Sequence, residues 1–173
     1  MKRFFCAAFL TLISLSFSPA SAQQREKPLP ALSCTADTTT MSQDDSLHLT
    51  VSLENRGSSD FYIYHALEWG WAGIGYTLTN ERGDVARPRE LIVPLPPPPV
   101  NDKSKLVGLA PGYFYGTRLA FDLSHYVLSP GVYYVEISYR SNYRTESGLG
   151  LPILTFDDGE FKCDKIQIQV RPN

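Results

Sequence analysis

Histidine is scarce in this chain of 173 residues: His48, His65 and His125 are the whole set. No G-x-S-x-G elbow occurs, so the serine turn that carries α/β-hydrolase chemistry is missing. The twelve-residue calcium loop, with oxygens at fixed spacing, is missing as well. Acids gather only at Asp44-Asp45 and at Asp157-Asp158-Gly159-Glu160. A hairpin turn explains the second group without an ion, because Asp and Gly tolerate left-handed backbone. Lys and Arg form no cluster, which makes nucleic acid and anionic surfaces poor partners. Helical periodicity is absent throughout. The expectation is a chain that is not an enzyme, uses no cofactor and binds no metal.

Long apolar runs are equally rare. One occurs, from Phe4 to Phe17, after the basic pair Lys2 and Arg3. Ala20 and Ala22 then stand in the A-x-A positions of a signal-peptide cleavage site. A run of roughly 14 residues is short against the about 20 that a spanning helix needs. Residues 1–22 are therefore predicted to be a cleaved signal peptide, with a retained anchor as the alternative and Cys6 discarded with it. Export to a periplasm or beyond the cell is expected, with no stable membrane insertion afterwards. Removing Lys2 and Arg3 from the 16 basic residues leaves 14 against 18 acids, a net charge near −4.

Cysteine falls to two residues in the processed chain, Cys34 and Cys163. In an oxidising compartment an even pair usually bonds. The alternative is two buried thiols.

What the sequence does hold is alternation. Residues 23–31 are polar and proline-bearing and read as a flexible leader before a single domain over 32–173. Leu47, Leu49, Val51 and Leu53 alternate with His48, Thr50 and Ser52, the period of a half-buried strand. Phe61–His65, then Ile74, Tyr76 and Leu78, continue the pattern. Leu91–Val93 could form a short edge strand before the prolines at 94 and 96–99, which must leave any ladder. Strand character returns at Leu106–Leu109 and Phe114–Leu123. Near the end, Phe161 and Cys163 share one phase and Ile166, Ile168 and Val170 the other, which calls for a bulge near Asp164-Lys165. The sum is all-β, seven to nine short strands with turn signals between them.

Ser129-Pro130-Gly131-Val132-Tyr133 opens the alternating run Tyr133, Val135, Ile137, Tyr139. It resembles the tyrosine corner of immunoglobulin-like and fibronectin type III-like sandwiches. The resemblance implies an antiparallel β-sandwich and a Tyr133 hydroxyl bonded to upstream backbone. The cysteines sit on the first and last strands, so the likeness is to the superfold, not to antibody domains, and a superfold does not define function.

Aromatic residues supply the candidate surfaces. Trp69 and Trp71 fall in a loop, Tyr113 and Tyr115 in a run of three aromatics, and Tyr143 and Arg144 in the connection 141–150. Exposed Trp and Tyr rings suit a protein partner or a sugar ring. The competing expectation is that Trp69 and Trp71 cap one end of the core. The leading expectation is a binding or scaffolding module for a protein partner. Glycan binding through the loop aromatics and protease inhibition through the proline-rich segment are the alternatives.

Overall fold

The computed structural model describes residues 28–69, 73–89, 102–143 and 148–172. The predicted signal peptide, the proline run, Leu91–Val93, Trp71 and Arg144 lie outside the described residues. Twelve extended segments are present: β1 (Pro30–Ala36), β2 (Thr40–Ser42), β3 (Ser46–Asn55), β4 (Phe61–Tyr64), β5 (Ile74–Asn80), β6 (Arg87–Pro88), β7 (Leu106–Leu109), β8 (Phe114–Asp122), β9 (Tyr126–Val127), β10 (Gly131–Tyr139), β11 (Phe161–Lys162) and β12 (Ile166–Arg171). Eight of them reach four residues or more, which matches the seven to nine strands that the alternation predicts. The rest are fragments too short to leave a periodic signal.

The first sheet has the order β1-β3-β8, antiparallel throughout. Its middle strand shows the physical cause most plainly. Leu47, Leu49, Val51 and Leu53 are 0% exposed, while His48 and Thr50 face water. Each side chain so buried contributes roughly 1.5–3 kcal/mol over an exposed one. A slip of one residue would turn all four outward, so register is strongly specified.

The second sheet is built on β10. Tyr133 to Val135 pair with both β5 and β12, so those strands flank opposite edges of β10. β11 continues the β12 side. Between them the register shifts by one: Ser138 faces Lys162, but Val135 faces Ile166. Cys163, Asp164 and Lys165 thus oppose only Ile137 and Glu136, a bulge at the place where the two apolar phases collide. β2 adds to β12 in parallel. β4 pairs with β7 and β6 with β9 in two small ribbons.

One expectation needs correction. The leader ends earlier than residue 31, because Pro30 and Ala31 already pair with Asn55 and Glu54. A proline is tolerated there as the first residue of an edge strand. The polar stretch Asp37–Asp45 contains β2. Its single large apolar residue, Met41, is 4% exposed and anchors the segment in the core.

Candidate functional site

Three devices hold the framework rigid. Cys34 on β1 and Cys163 at the bulge form a disulfide, with Cα atoms 5.9 Å apart, that joins the two sheets. The Tyr133 hydroxyl accepts from the Ser129 N–H at 3.0 Å and donates to the Ser129 carbonyl at 3.1 Å. Asn55 is 0% exposed and fully used. Its side-chain NH2 donates to the Ser59 and Leu109 carbonyls at 2.9 and 2.7 Å, and its Oδ1 accepts from Gly57 N–H. Its backbone accepts from Gly112 and donates to Tyr113. A buried polar group satisfied at every atom organises a loop instead of destabilising it. Asn55 thus ties two turns together, the one after β3 and the one between β7 and β8. In the sequence it passes for one turn residue among several.

At one end of β8 the aromatic residues make a cluster. Trp69 packs edge-on against Tyr76 with centroids 4.9 Å apart, and Tyr76 against Phe121 at 4.3 Å. Tyr126 closes the group, 5.5 Å from Phe121, and its hydroxyl donates to that of Tyr76 at 3.0 Å. The indole N–H of Trp69 donates to the Ala120 carbonyl at 2.6 Å. Trp69 is therefore a half-buried cap of the core and not a free platform, the outcome the capping expectation describes. Gly73, which immediately precedes β5, has a φ of 81°, and a Cβ there would stand 1.6 Å from the Arg140 carbonyl oxygen. Only glycine fits there.

Tyr143 also departs from its expected place on a recognition loop. It is 5% exposed, and its carbonyl accepts from Phe156 N–H at 2.6 Å. Ser141, 2% exposed, donates its hydroxyl to the Leu154 carbonyl. The start of the 141–150 connection is thus folded back onto the core. Burial pushes the phenols of Tyr126, Tyr139 and Tyr143 above the ordinary tyrosine range.

At the other end of β8 rings face water. Tyr113 is 68% and Phe114 71% exposed, whereas Tyr115 is half-buried against the core. Alternation separates them: Tyr115 shares its phase with the buried Leu119 and Phe121, and Phe114 points away. Leu29 is 59% exposed at the same end. The Arg56 N–H donates to the Leu29 carbonyl and the Asn55 N–H to that of Tyr113, so both flank the end of β3. Glu54 and Arg56 form an ion pair at 2.8 Å beside them. Of the six candidate surface residues, only Tyr113 is both described and widely exposed. Sequence reasoning passed over Phe114 and Leu29.

The acidic groups are absorbed by backbone. Asp158 accepts from the N–H and hydroxyl of Thr155, and Asp45 from the Ser42 N–H. Among the described residues no group of three potential metal ligands forms. His48 lies on the outer face of β3, His65 follows β4, and His125 sits 3.8 Å from Asp122.

These elements define a class: an all-β, immunoglobulin-like antiparallel sandwich. No family model matches the chain, and no curated protein matches it. Solved structures resemble it, two of them as follows. One is a β-glucosidase from Erythrobacter marinus, at 10% identity and TM-score 0.43, matched over 83% of this chain and 16% of that one. The other is a CARDB domain from Pyrococcus furiosus in complex with di-metal ions, at 9% identity and TM-score 0.43, matched over 86% of this chain and 97% of that one. Similarity this low bears on neither activity nor ligand. Among the described residues no helix is long and apolar enough to cross a membrane.

Proposed function

We propose that the chain is an exported, non-catalytic β-sandwich that binds or scaffolds a protein partner at the end formed by Leu29 and Tyr113. The observation that carries this reading is the exposure of both side chains, 59% and 68%, with the Tyr113 carbonyl held by the Asn55 N–H and the Leu29 carbonyl by the Arg56 N–H. Rings exposed on rigid backbone give contact area at small entropic cost. A disulfide between the sheets suits an oxidising compartment, in keeping with the predicted signal peptide. A sugar platform is less favoured, because the Trp69 indole is already engaged by Ala120, Tyr76 and Phe121.

The test is capture from the secreted fraction of the native cell on immobilised chain. The wild type is expected to retain a defined protein, and the double variant Leu29→Ser/Tyr113→Ser to lose it. Retention of nothing by the wild type, or equal retention by both, contradicts the reading.

A further inference from the structure

An open sheet has two edges, and a bare edge offers unpaired N–H and C=O groups to any extended chain. The two main sheets differ in how their edges are managed. β1 begins with Pro30 and is tied to the second sheet through Cys34. β2 is three residues long. β5 is covered: Trp69 bridges Ile74, Val85 bridges Thr79, and the Ala86 N–H donates to the Leu78 carbonyl at 2.8 Å.

β8 is different. The Asn55 N–H donates to the Tyr113 carbonyl, so the odd-numbered residues of this register bond to β3. The even-numbered ones must aim their backbone groups the other way. The bond from the Trp69 indole to the Ala120 carbonyl shows that direction and covers the edge there. Over Phe114, Gly116 and Arg118 no described strand pairs with this edge. Side-chain burial agrees. Leu53 and Val51 on β3 are 0% exposed, while Tyr115 and Thr117 opposite them are only half-buried. No proline or lysine protects the stretch Phe114–Arg118.

The geometry points to a second copy of this chain as the occupant, the two β8 strands pairing antiparallel about a two-fold axis at Gly116. The sequence is self-complementary in that register. Phe114 falls opposite Arg118 of the partner subunit on the outer face, and Arg118 opposite the partner subunit's Phe114, two cation–ring pairs per dimer. Tyr115 falls opposite Thr117 of the partner subunit, an aromatic and β-branched pair. Centring the axis on Arg118 would set like charges against each other. Centring it on Thr117 would need the Ala120 edge, which Trp69 already holds. Arg118 also pairs with Asp37 across the outer face. The result is one continuous sheet of six strands, three from each copy. This surface adjoins the Leu29–Tyr113 contact, beginning one residue later at Phe114, but it rests on the strand edge and not on that contact.

Sedimentation equilibrium of the full-length gene product, recovered from an export-competent host, reads the association directly. A dimer is expected in the micromolar range. Phe114→Lys sets like charges opposite each other twice, whereas Phe114→Glu sets opposite charges there. The lysine variant should therefore associate at least about tenfold more weakly than the glutamate variant. Arg118→Pro removes an edge N–H that β3 does not use and should also give monomer. Circular dichroism checks that each variant is folded. A wild type that stays monomeric at about 100 μM overturns the proposal. So does a dimer that responds equally to lysine and glutamate at 114, or that survives Arg118→Pro.

Discussion

The two ends of β8 carry similar side chains to opposite fates. Phe121, near the end of the strand, is 2% exposed within the Trp69–Tyr76–Tyr126 cluster. Phe114, roughly 23 Å along the strand, is 71% exposed. Composition does not separate them. Phase does, since Phe121 faces inward with Leu119 and Phe114 outward, and so does what stands on the open edge. At Ala120 an indole covers the edge, and at Phe114 no described residue pairs with it. Aromatic content in a sandwich thus reports on surface chemistry only after the coverage of each strand edge is known.

The difference can be broken first through the framework common to both ends. Cys34→Ser with Cys163→Ser reopens a separation of 129 residues. Chain entropy then predicts a loss of up to about 5 kcal/mol, measured by urea unfolding of oxidised and mutant chains. A loss under about 1 kcal/mol would mean that the bridge is incidental.

Phe121→Ala acts at the covered end alone. Emptying a buried ring site costs about 3–5 kcal/mol. The Tyr76 and Tyr126 hydroxyls would lose their packing with it. A change no larger than that of an exposed residue would show that the cluster is loose.

Alkaline titration probes the buried phenols. The folded state raises the pKa of Tyr126, Tyr139 and Tyr143 mainly by burial, so it keeps protons that the unfolded chain loses near pH 10. Stability is therefore complete below about pH 10 and falls as pH rises beyond it. Ultraviolet titration should find at least three of the ten tyrosines un-ionised while the fold holds. Ionisation of all ten at ordinary pH with the fold intact would contradict this.

Tyr133→Phe removes two hydrogen bonds to Ser129 and leaves its N–H unpaired. The expected loss is about 1–2 kcal/mol in the melting or urea midpoint. Smallest is Tyr113→Ser at the bare end, within about 0.5 kcal/mol of the wild type in stability. Its effect belongs in binding. A large destabilisation there would mean that the ring is structural.

Strand by strand, most of the fold was legible because one face of each long strand is buried. Leu47 to Leu53 and Tyr133 to Tyr139 alternate as the core requires. The bulge at Cys163–Lys165 followed from two phases that could not both face inward. β2 was hidden because one methionine in a polar stretch has no period. Exposure was harder. Trp69 sits in a loop by composition, yet its indole finds the Ala120 carbonyl, a partner 51 residues away. Tyr143 lies in a polar connection and is buried by long-range folding. Asn55 has the composition of a turn, and only the fold brings Leu109, Gly112 and Tyr113 to it. Local pattern encodes which face is buried. It does not encode which edge is left open.

Residue-resolved amide exchange along β8 tests that open edge most directly. In dilute solution the amides of Tyr115, Thr117, Leu119 and Phe121 should be protected by β3, and those of Phe114, Gly116 and Arg118 should exchange fast, gaining protection as concentration rises. Protection of the even-numbered amides in dilute monomer would mean that the edge is already filled, and neither the bare end nor its pairing with a second copy would stand.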